Sequence, residues 1–92
     1  MESSRLLDSV KRIYFVGIGG SGMCPLAEIL FHRGFVITGS DTNESDTLER
    51  VRSYGIPVHM GHRAENIGDA QLVVYTAAVK QDNPELIAAR EK

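Results

Sequence analysis

The chain is short of the residues that mark several common classes of protein. Its single cysteine, Cys24, cannot form an internal disulfide, so the cytoplasm is the expected compartment. No apolar run approaches the length of a membrane span, and the N-terminus lacks the apolar core of a signal peptide. Ten basic residues against twelve acidic ones give a net charge of −2, which leaves no electrostatic footprint for nucleic acid. We therefore expect neither a membrane nor a nucleic acid as a partner.

Metal-binding patterns and internal repeats are absent from the sequence as well. No two histidines, cysteines or carboxylates stand at metal-ligand spacing, so no metal site is predicted. Cys24 has no base beside it in the pattern and is interpreted as a small core residue. With 92 residues the chain can form one small domain with a modest core. It ends at "AAREK", inside a helix-like segment, and we expect it to be a piece of a longer protein.

What the sequence does contain is an alternation of strand-like and helix-like segments. Strands followed by helices imply parallel pairing with right-handed crossovers. We therefore predict an α/β, Rossmann-like fold whose mainly parallel sheet has the order 3-2-1-4, with helices on both faces. Apolar runs rich in β-forming residues predict the strands, and apolar residues at helical spacing predict the helices. The predicted strands are 12–18, 35–41, 56–61 and 71–78, the predicted helices are 21–34, 45–55 and 83–92, and 62–70 is predicted to be polar with one helical turn.

Polar and glycine residues at the ends of these segments predict where the helices begin and end. Ser45 or Asp46 is expected to cap the second helix, and Gly55 to follow its last turn. Asn83 is expected to cap the third helix, with Pro84 at its first position. These caps favour helices over loops in both segments.

The stretch "YFVGIGGSGMCPLAEIL" places three glycines as G-x-G-x-x-G between a predicted strand and a predicted helix. Gly17 permits a tight turn, Gly19 lets a pyrophosphate approach the backbone, and Gly22 allows the helix to pack close to the strand. The N–H groups and the positive dipole end at the helix start favour a phosphate. The remaining residues of the loop are predicted to take part in binding: Ile18, Gly20 and Ser21.

A carboxylate follows the second predicted strand. Asp41 stands nineteen residues after Gly22, and a carboxylate there accepts hydrogen bonds from the hydroxyls of a ribose. A loop or capping aspartate is the alternative interpretation. The carboxyl ends of parallel strands meet at one edge of the sheet, so we expect Asp41 to lie near the glycine loop and the segment 76–80. The residues thus predict a ribose next to a diphosphate, a unit shared by NAD, FAD and nucleoside diphosphate sugars.

Weaker candidates complete the predicted site. His62 follows Gly61 in a loop, where its imidazole can contact a phosphate or a base or can simply be solvated. His59, within a short strand, and His32, near a helix end, are interpreted as structural. Small residues end the fourth predicted strand and either leave room for a ligand or allow tight packing: Thr76, Ala77 and Ala78.

Five segments over 11–92 together go beyond a generic Rossmann pattern. In order, they are "YFVGIGGSGMCPLAEIL", "GSD", "GIPVHMGH", "DAQLVVYTAAV" and "DNPELIAAR". They resemble the N-terminal domain of the bacterial Mur ligases, and within that family the branch that adds L-alanine to UDP-N-acetylmuramate. The resemblance implies a domain that holds the UDP part of UDP-N-acetylmuramate in peptidoglycan biosynthesis. It also implies that the loop 17–22 meets the diphosphate, that Asp41 meets the ribose, and that 61–62 and 76–78 line the nucleotide end of the site.

The resemblance further implies domains that these 92 residues do not contain. In the family a central domain binds ATP and Mg²⁺, a C-terminal domain binds the amino acid, and the phosphorylated muramoyl carboxylate is attacked by the amine of L-alanine. The ATP-binding P-loop, a G-x-x-G-K-[ST]-type element, is missing here, so this chain alone is expected to be inactive as a ligase. Cys24 and Pro25 stand where the family usually has a small residue and a glycine, and a local adjustment of the helix start is expected.

Two alternatives stay open. The glycine loop and Asp41 fit the NAD-binding half of an oxidoreductase, or an NAD-sensing regulatory module, as well as they fit a ligase. A related ligase of the same family attaches a recycled tripeptide to the same nucleotide sugar, and its N-terminal domain would look much the same. The glycine motif alone does not distinguish a ligase from an NAD-binding protein. The later segments favour a ligase, because they resemble the Mur ligases.

Overall fold

The computed structural model describes residues 10–20, 22–76, 79 and 82–91. Within them, parallel strands and helices alternate along the chain as predicted. The strands are β1 (Arg12–Val16), β2 (Val36–Asp41), β3 (Val58–Met60) and β4 (Leu72–Val74); the helices are α1 (Met23–His32), α2 (Asp46–Ser53) and α3 (Pro84–Glu91), with a short 3₁₀ helix, η1 (Ala64–Ile67), between β3 and β4.

The four strands form one sheet in the order β3-β2-β1-β4, and every pair is parallel, which confirms the predicted topology. The five residues of β1 pair with β2 from Arg12 opposite Val36 to Val16 opposite Ser40. From Ile13 onwards, β1 is buried. A central parallel strand carries apolar residues on both of its faces because helices cover both sides of such a sheet.

Three strands end earlier than the sequence predicts, and one of them is β3, which covers only Val58–Met60 of the predicted segment 56–61. The segment 12–18 was expected to be one strand, but β1 stops at Val16 because Gly17 adopts a φ of 80°. The N–H groups of Gly17 and Ile18 then both turn to the carbonyl of Ser40, at 2.8 and 2.9 Å. Similarly, β4 ends at Val74 instead of 78, since it pairs with only three residues of β1.

The main hydrophobic core lies on one face of the sheet, between the strands and the helices α1 and α2. Side chains alternate between the faces of a strand, so Ile13 and Phe15 of β1 point to this side together. Both are almost fully buried. The rest of this core comes from the glycine loop, α1, β2, α2 and the segment before β3: Ile18, Met23, Cys24, Ala27, Leu30, Ile37, Leu48, Val51 and Ile56.

The opposite face of the sheet is covered by α3. Tyr14 lies between Ile13 and Phe15 in β1 and therefore points away from the main core. It is fully buried, and its hydroxyl donates a 2.6 Å hydrogen bond to Glu85 in the first turn of α3. The predicted placement of helices on both faces is thus confirmed. No helix in the described ranges is long and apolar enough to cross a membrane.

Side chains cap α2 and α3 as predicted. The hydroxyl of Ser45, rather than the carboxylate of Asp46, accepts a 3.1 Å hydrogen bond from the N–H of Leu48. The side chain of Asn83 accepts a 2.8 Å hydrogen bond from the N–H of Glu85. Each cap satisfies a backbone donor that has no partner inside the helix.

Replacement of Ser45 by alanine should lower the free energy of unfolding by about 1 kcal/mol, because the N–H of Leu48 loses its acceptor. Urea denaturation followed by circular dichroism measures the change. Ser53→Ala in the same helix is the control: its hydroxyl donates to the carbonyl of Arg50 and caps no N–H group. Equal losses in the two variants would contradict the capping role of Ser45.

Candidate functional site

A cleft of about 790 Å³ opens at the carboxyl ends of β1, β2 and β4. The topology produces it, because parallel strands present their carboxyl ends, and the loops that follow them, at one edge of the sheet. The cleft brings together residues that the sequence analysis assigned to one site from four separate segments. Six of the predicted site residues line it: Gly17, Gly20, Gly22, Asp41, His62 and Thr76.

The other predicted site residues do not line the cleft or cannot be placed. Ile18 does not line the cleft: it is fully buried in the main core, and its N–H is bonded to the carbonyl of Ser40. Gly19 is half-buried and does not line the cleft either. Three further residues of the prediction lie outside the described residues: Ser21, Ala77 and Ala78.

The glycine loop leads directly into the start of α1. Within the loop the N–H of Gly20 donates to the carbonyl of Gly17 at 3.0 Å, and the carbonyl of Gly20 accepts from Met23 and Cys24. Gly22 precedes the helix with no side-chain cap, and no acidic residue occupies the first turn. The positive end of the helix dipole therefore lies at the cleft with no acidic residue in its own first turn, which suits an anion.

Asp41 is turned toward the glycine loop. One carboxylate oxygen accepts a 2.9 Å hydrogen bond from the N–H of Gly19, and the other accepts from Thr42 and Asn43 at 2.8 and 3.3 Å. The carbonyl of Gly19 accepts in turn from the hydroxyl of Thr47 at 2.6 Å. The peptide groups of Gly19 are therefore held from both sides, and Asp41 fastens the glycine loop to β2.

The structure assigns different steric roles to the glycines from those predicted. A Cβ atom at Gly19 would lie 2.8 Å from the Asp41 carboxylate, so this glycine makes room for that side chain, while the predicted approach of a pyrophosphate stays a prediction. A Cβ at Gly22 would meet no described atom within 4 Å, so helix–strand packing does not require glycine there. Gly39 in β2 is the tight position: a Cβ would lie 2.8 Å from Ile18 and from the carbonyl oxygen of Phe15.

A buried carboxylate lies beneath the cleft. Glu85 is fully buried and accepts hydrogen bonds from the side chains of Tyr14 and Ser40 at 2.6 Å each and of Asn66 at 2.9 Å. The N–H of Arg63 and the Nδ1 atom of His62 also lie within hydrogen-bonding distance, at 3.3 and 3.1 Å. A glutamate is rarely buried without such partners. This one carboxylate therefore ties α3 to β1, β2 and the segment 62–66.

The cluster keeps Glu85 ionised. Burial acts to raise the pKa of Glu85, but its hydrogen bonds, first of all that from Ser40, outweigh burial and hold the pKa below its ordinary value. The pKa of Tyr14 is raised, first by burial and then by its hydrogen bond to Glu85. The phenol therefore stays protonated and donates a hydrogen bond to the carboxylate. Within the described ranges no buried side-chain nitrogen or oxygen lacks a hydrogen-bond partner.

Sequence reasoning missed the role of Glu85. An acidic residue in the first turn of a helix is typical of an exposed side chain that complements the helix dipole. The stretch "DNPEL" therefore predicts a cap and nothing more. The signal appears only when α3 is packed on the sheet, since the partners of Glu85 lie 19 to 71 residues away in the sequence.

Cys24 and the two remaining histidines take no part in the cleft. Cys24 is buried, and burial, followed by its hydrogen bond to Glu28, raises the pKa of the thiol. The ring of His59 stacks on Tyr14 with a centroid distance of 6.5 Å, and His32 packs edge-on against aromatic neighbours. Among the described residues, no group of three or more histidine, cysteine or acidic side chains could hold a metal ion.

Comparison with known proteins shows which family the chain belongs to. A sequence profile described as "Mur ligase family, catalytic domain" matches residues 12–92. The chain is 57% identical over 82 residues to the UDP-N-acetylmuramate–L-alanine ligase of Legionella pneumophila, and 54% identical over 82 residues to that of a Sulfurihydrogenibium species. Each match covers 89% of this chain, which spans only 18% of the length of either relative.

Two solved structures share the fold. The crystal structure of UDP-N-acetylmuramate–alanine ligase from Thermotoga maritima matches with a TM-score of 0.83 and 42% identity, over 87% of this chain and 19% of that one. The UDP-N-acetylmuramate:L-alanyl-γ-D-glutamyl-meso-diaminopimelate ligase from Neisseria meningitides matches with a TM-score of 0.75 and 28% identity, over 87% of this chain and 25% of that one. The profile match, the relatives and the shared fold together show that the chain belongs to the Mur ligase family.

Proposed function

We propose that residues 1–92 are the UDP-sugar-binding N-terminal domain of a UDP-N-acetylmuramate–L-alanine ligase. The observation that carries the proposal is the 57% and 54% identity to enzymes of that name over almost the whole chain. The domain holds the UDP moiety of UDP-N-acetylmuramate, and the full enzyme joins L-alanine to the muramoyl group in peptidoglycan synthesis. As part of that proposal, the enzyme works in the cytoplasm.

The cleft has the chemistry that a uridine diphosphate requires. The N–H of Gly22 and the positive end of the α1 dipole are the groups proposed to meet the diphosphate, since the N–H of Gly20 is already bonded to the carbonyl of Gly17. Asp41 lines the same cleft and can accept a hydrogen bond from a ribose hydroxyl, because its three backbone donors leave one of about four lone-pair sites available. His62 and Thr76 are proposed to line the nucleotide end together with Ala77 and Ala78, which the family resemblance adds. Ser21 is proposed to meet the diphosphate with the rest of the glycine loop.

ATP and Mg²⁺ do not fit these residues. The sequence contains no G-K-[ST] element to cradle the phosphates of ATP, and the described residues contain no cluster of acidic or histidine ligands for a cation. Phosphorylation of the muramoyl carboxylate and its attack by L-alanine therefore belong to the central and C-terminal domains of the full enzyme. This chain alone binds the nucleotide sugar and does not catalyse the ligation.

The degree of similarity favours L-alanine as the added group. Identity to the enzymes named for L-alanine or alanine is 42% to 57%, whereas it is 28% to the tripeptide ligase. The amino acid is bound outside these residues in both kinds of enzyme, so the choice rests on descent rather than on a contact in the cleft. Attachment of a recycled tripeptide is the second candidate.

Calorimetry should show that the chain binds UDP and UDP-N-acetylmuramate more tightly than NAD. Both UDP ligands carry the diphosphate and ribose that the cleft accommodates, while the family relationship offers no site for the nicotinamide half of NAD. Uridine without phosphates serves as the control and should bind more weakly than UDP, because the start of α1 then has no anion to bind. Tighter binding of NAD would reject the proposed function in favour of an oxidoreductase or regulatory module.

A further inference from the structure

The hydrogen-bond partners of His62 determine which of its ring nitrogens carries a proton. Its Nδ1 atom lies 2.9 Å from the hydroxyl oxygen of Ser40 and 3.1 Å from a carboxylate oxygen of Glu85. The single proton of the Ser40 hydroxyl is donated to Glu85, at 2.6 Å. Ionised Glu85 can only accept, so both neighbours of Nδ1 are acceptors. Nδ1 must therefore be the N–H donor.

The burial of its neighbours indicates where the other ring nitrogen of His62 lies. Ser40 and Glu85 are fully buried, whereas the His62 side chain is 21% exposed. Because Nδ1 faces these two buried residues, we infer that the exposed part is the ring edge that carries Nε2. His62 lines the same cleft as Gly20 and Gly22 at the start of α1. In the part of the chain that the structure describes, nothing hydrogen-bonds to Nε2.

We propose that Glu85 is a positioning residue for nucleotide binding: it holds His62 with its Nδ1–H buried, so that Nε2, when it carries a proton, donates a hydrogen bond to the diphosphate of the ligand. A carboxylate behind an imidazole fixes the ring orientation and stabilises the imidazolium that forms when Nε2 is protonated. The buried carboxylate is thus the counter-charge of the ring whenever Nε2 carries a proton. This inference rests on the proposed binding of UDP, and Glu85 itself never touches the ligand.

The remaining members of the cluster explain why the arrangement is rigid. Tyr14 and Asn66 bind one oxygen of Glu85, while Ser40 and His62 share the other. Each carboxylate oxygen is therefore fixed by donors from different elements of the fold. Because the carboxylate cannot rotate without losing several of these bonds, the direction in which it holds His62 is set by the packing of α3 on the sheet.

A double-mutant cycle tests the proposal. Glu85→Gln retains the shape of the side chain but removes the charge and leaves one acceptor oxygen for five donors. We expect Glu85→Gln and His62→Ala each to weaken UDP binding roughly ten-fold, as expected for a lost charged hydrogen bond, with little effect on uridine. In the His62→Ala background, Glu85→Gln should cost almost nothing more, because its partner is already gone.

A matched control separates positioning from stability. Val51→Ala also destabilises the chain, since Val51 is fully buried in the main core, but Val51 does not line the cleft. It should leave UDP binding unchanged wherever circular dichroism shows a folded protein. Additive losses in the cycle would overturn the role of Glu85 while UDP binding by the wild-type chain stands. No UDP binding by the wild-type chain would reject the proposed function itself and this inference with it.

Nuclear magnetic resonance of the wild-type chain tests the tautomer without any variant. Long-range ¹⁵N–¹H correlation distinguishes a protonated Nδ1 from a protonated Nε2 in a neutral imidazole. We expect His62 to be in the Nδ1–H form at a pH where the ring is neutral, and its Nε2 resonance to move when UDP is added and not when uridine is added. An Nε2–H tautomer for His62, or an unchanged Nε2 resonance with bound UDP, would overturn the proposal even if Glu85→Gln failed to fold.

Discussion

Replacement of Gly39 by alanine should cost the fold about 3 kcal/mol of its free energy of unfolding, the upper end of the range for an overpacked core. A Cβ at this position would lie 2.8 Å from the Cβ and Cδ1 atoms of Ile18 and from the carbonyl oxygen of Phe15. Phe15 is the residue opposite Gly39 in the parallel register, so its carbonyl cannot move without disturbing the sheet. Nor can Ile18 move away, because it is fully buried.

Thermal and urea denaturation measure the loss, which corresponds to a melting temperature roughly 10 to 20 °C below that of the wild-type chain for a domain of this size. Gly22→Ala is the matched control, since Gly22 has a φ of −91° and open space around its Cβ position. It should be as stable as the wild type or slightly more stable. A Gly39→Ala variant that melts with the wild type would show that the close contact of Ile18 with β2 does not matter for stability.

Replacement of Asp41 by alanine should weaken UDP binding ten- to hundred-fold, the loss expected for hydrogen bonds to a charged group. The sequence offered one reason for this loss, the predicted ribose contact, and the structure adds a second. Asp41 lines the cleft where a ribose is proposed to lie, and it also holds the N–H of Gly19. Asp69→Ala is the control, because Asp69 is an exposed carboxylate that pairs with Arg12 away from the cleft.

Calorimetry with UDP and 2′-deoxy-UDP separates the two roles of Asp41. Loss of a ribose contact reduces the preference for UDP over the deoxy ligand, whereas loosening of the glycine loop weakens both ligands alike. We expect the preference to fall. If both ligands lose affinity by the same factor, Asp41 only fastens the loop and the proposed ribose contact is wrong.

Gly19→Ala provides an independent test of the hydrogen bond between the N–H of Gly19 and the carboxylate of Asp41. Its Cβ would press on the Asp41 carboxylate at 2.8 Å and approach Leu48 at 3.3 Å, so the carboxylate has to swing away from the loop. The variant should therefore reproduce the weaker UDP binding of Asp41→Ala while Asp41 is still present. Normal UDP affinity in Gly19→Ala would show that the hydrogen bond from Gly19 to Asp41 is not needed for the site.

Local patterns in the sequence determined the order of strands and helices, the caps of α2 and α3 and the parallel sheet. Such features depend on residues that are close in the chain: apolar periodicity, Ser45 three residues before the N–H it caps, and Gly17 at a turn with a positive φ. The cleft followed from the same patterns, since parallel strands place Asp41 and the glycine loop at one edge. Boundaries were less accurate, because β1 and β4 end where pairing with their neighbours stops.

Tertiary structure alone decided which glycine is sterically required and what lies beneath the cleft. Gly39 has an unremarkable place in the sequence, and only the packing of Ile18 against β2 makes it indispensable. Glu85 resembles any acidic residue in a first helical turn until α3 is docked on the sheet, where Tyr14 and Ser40 supply its donors. A buried charge is stable only when distant segments converge on it, so its role depends on the assembled fold rather than on any local pattern.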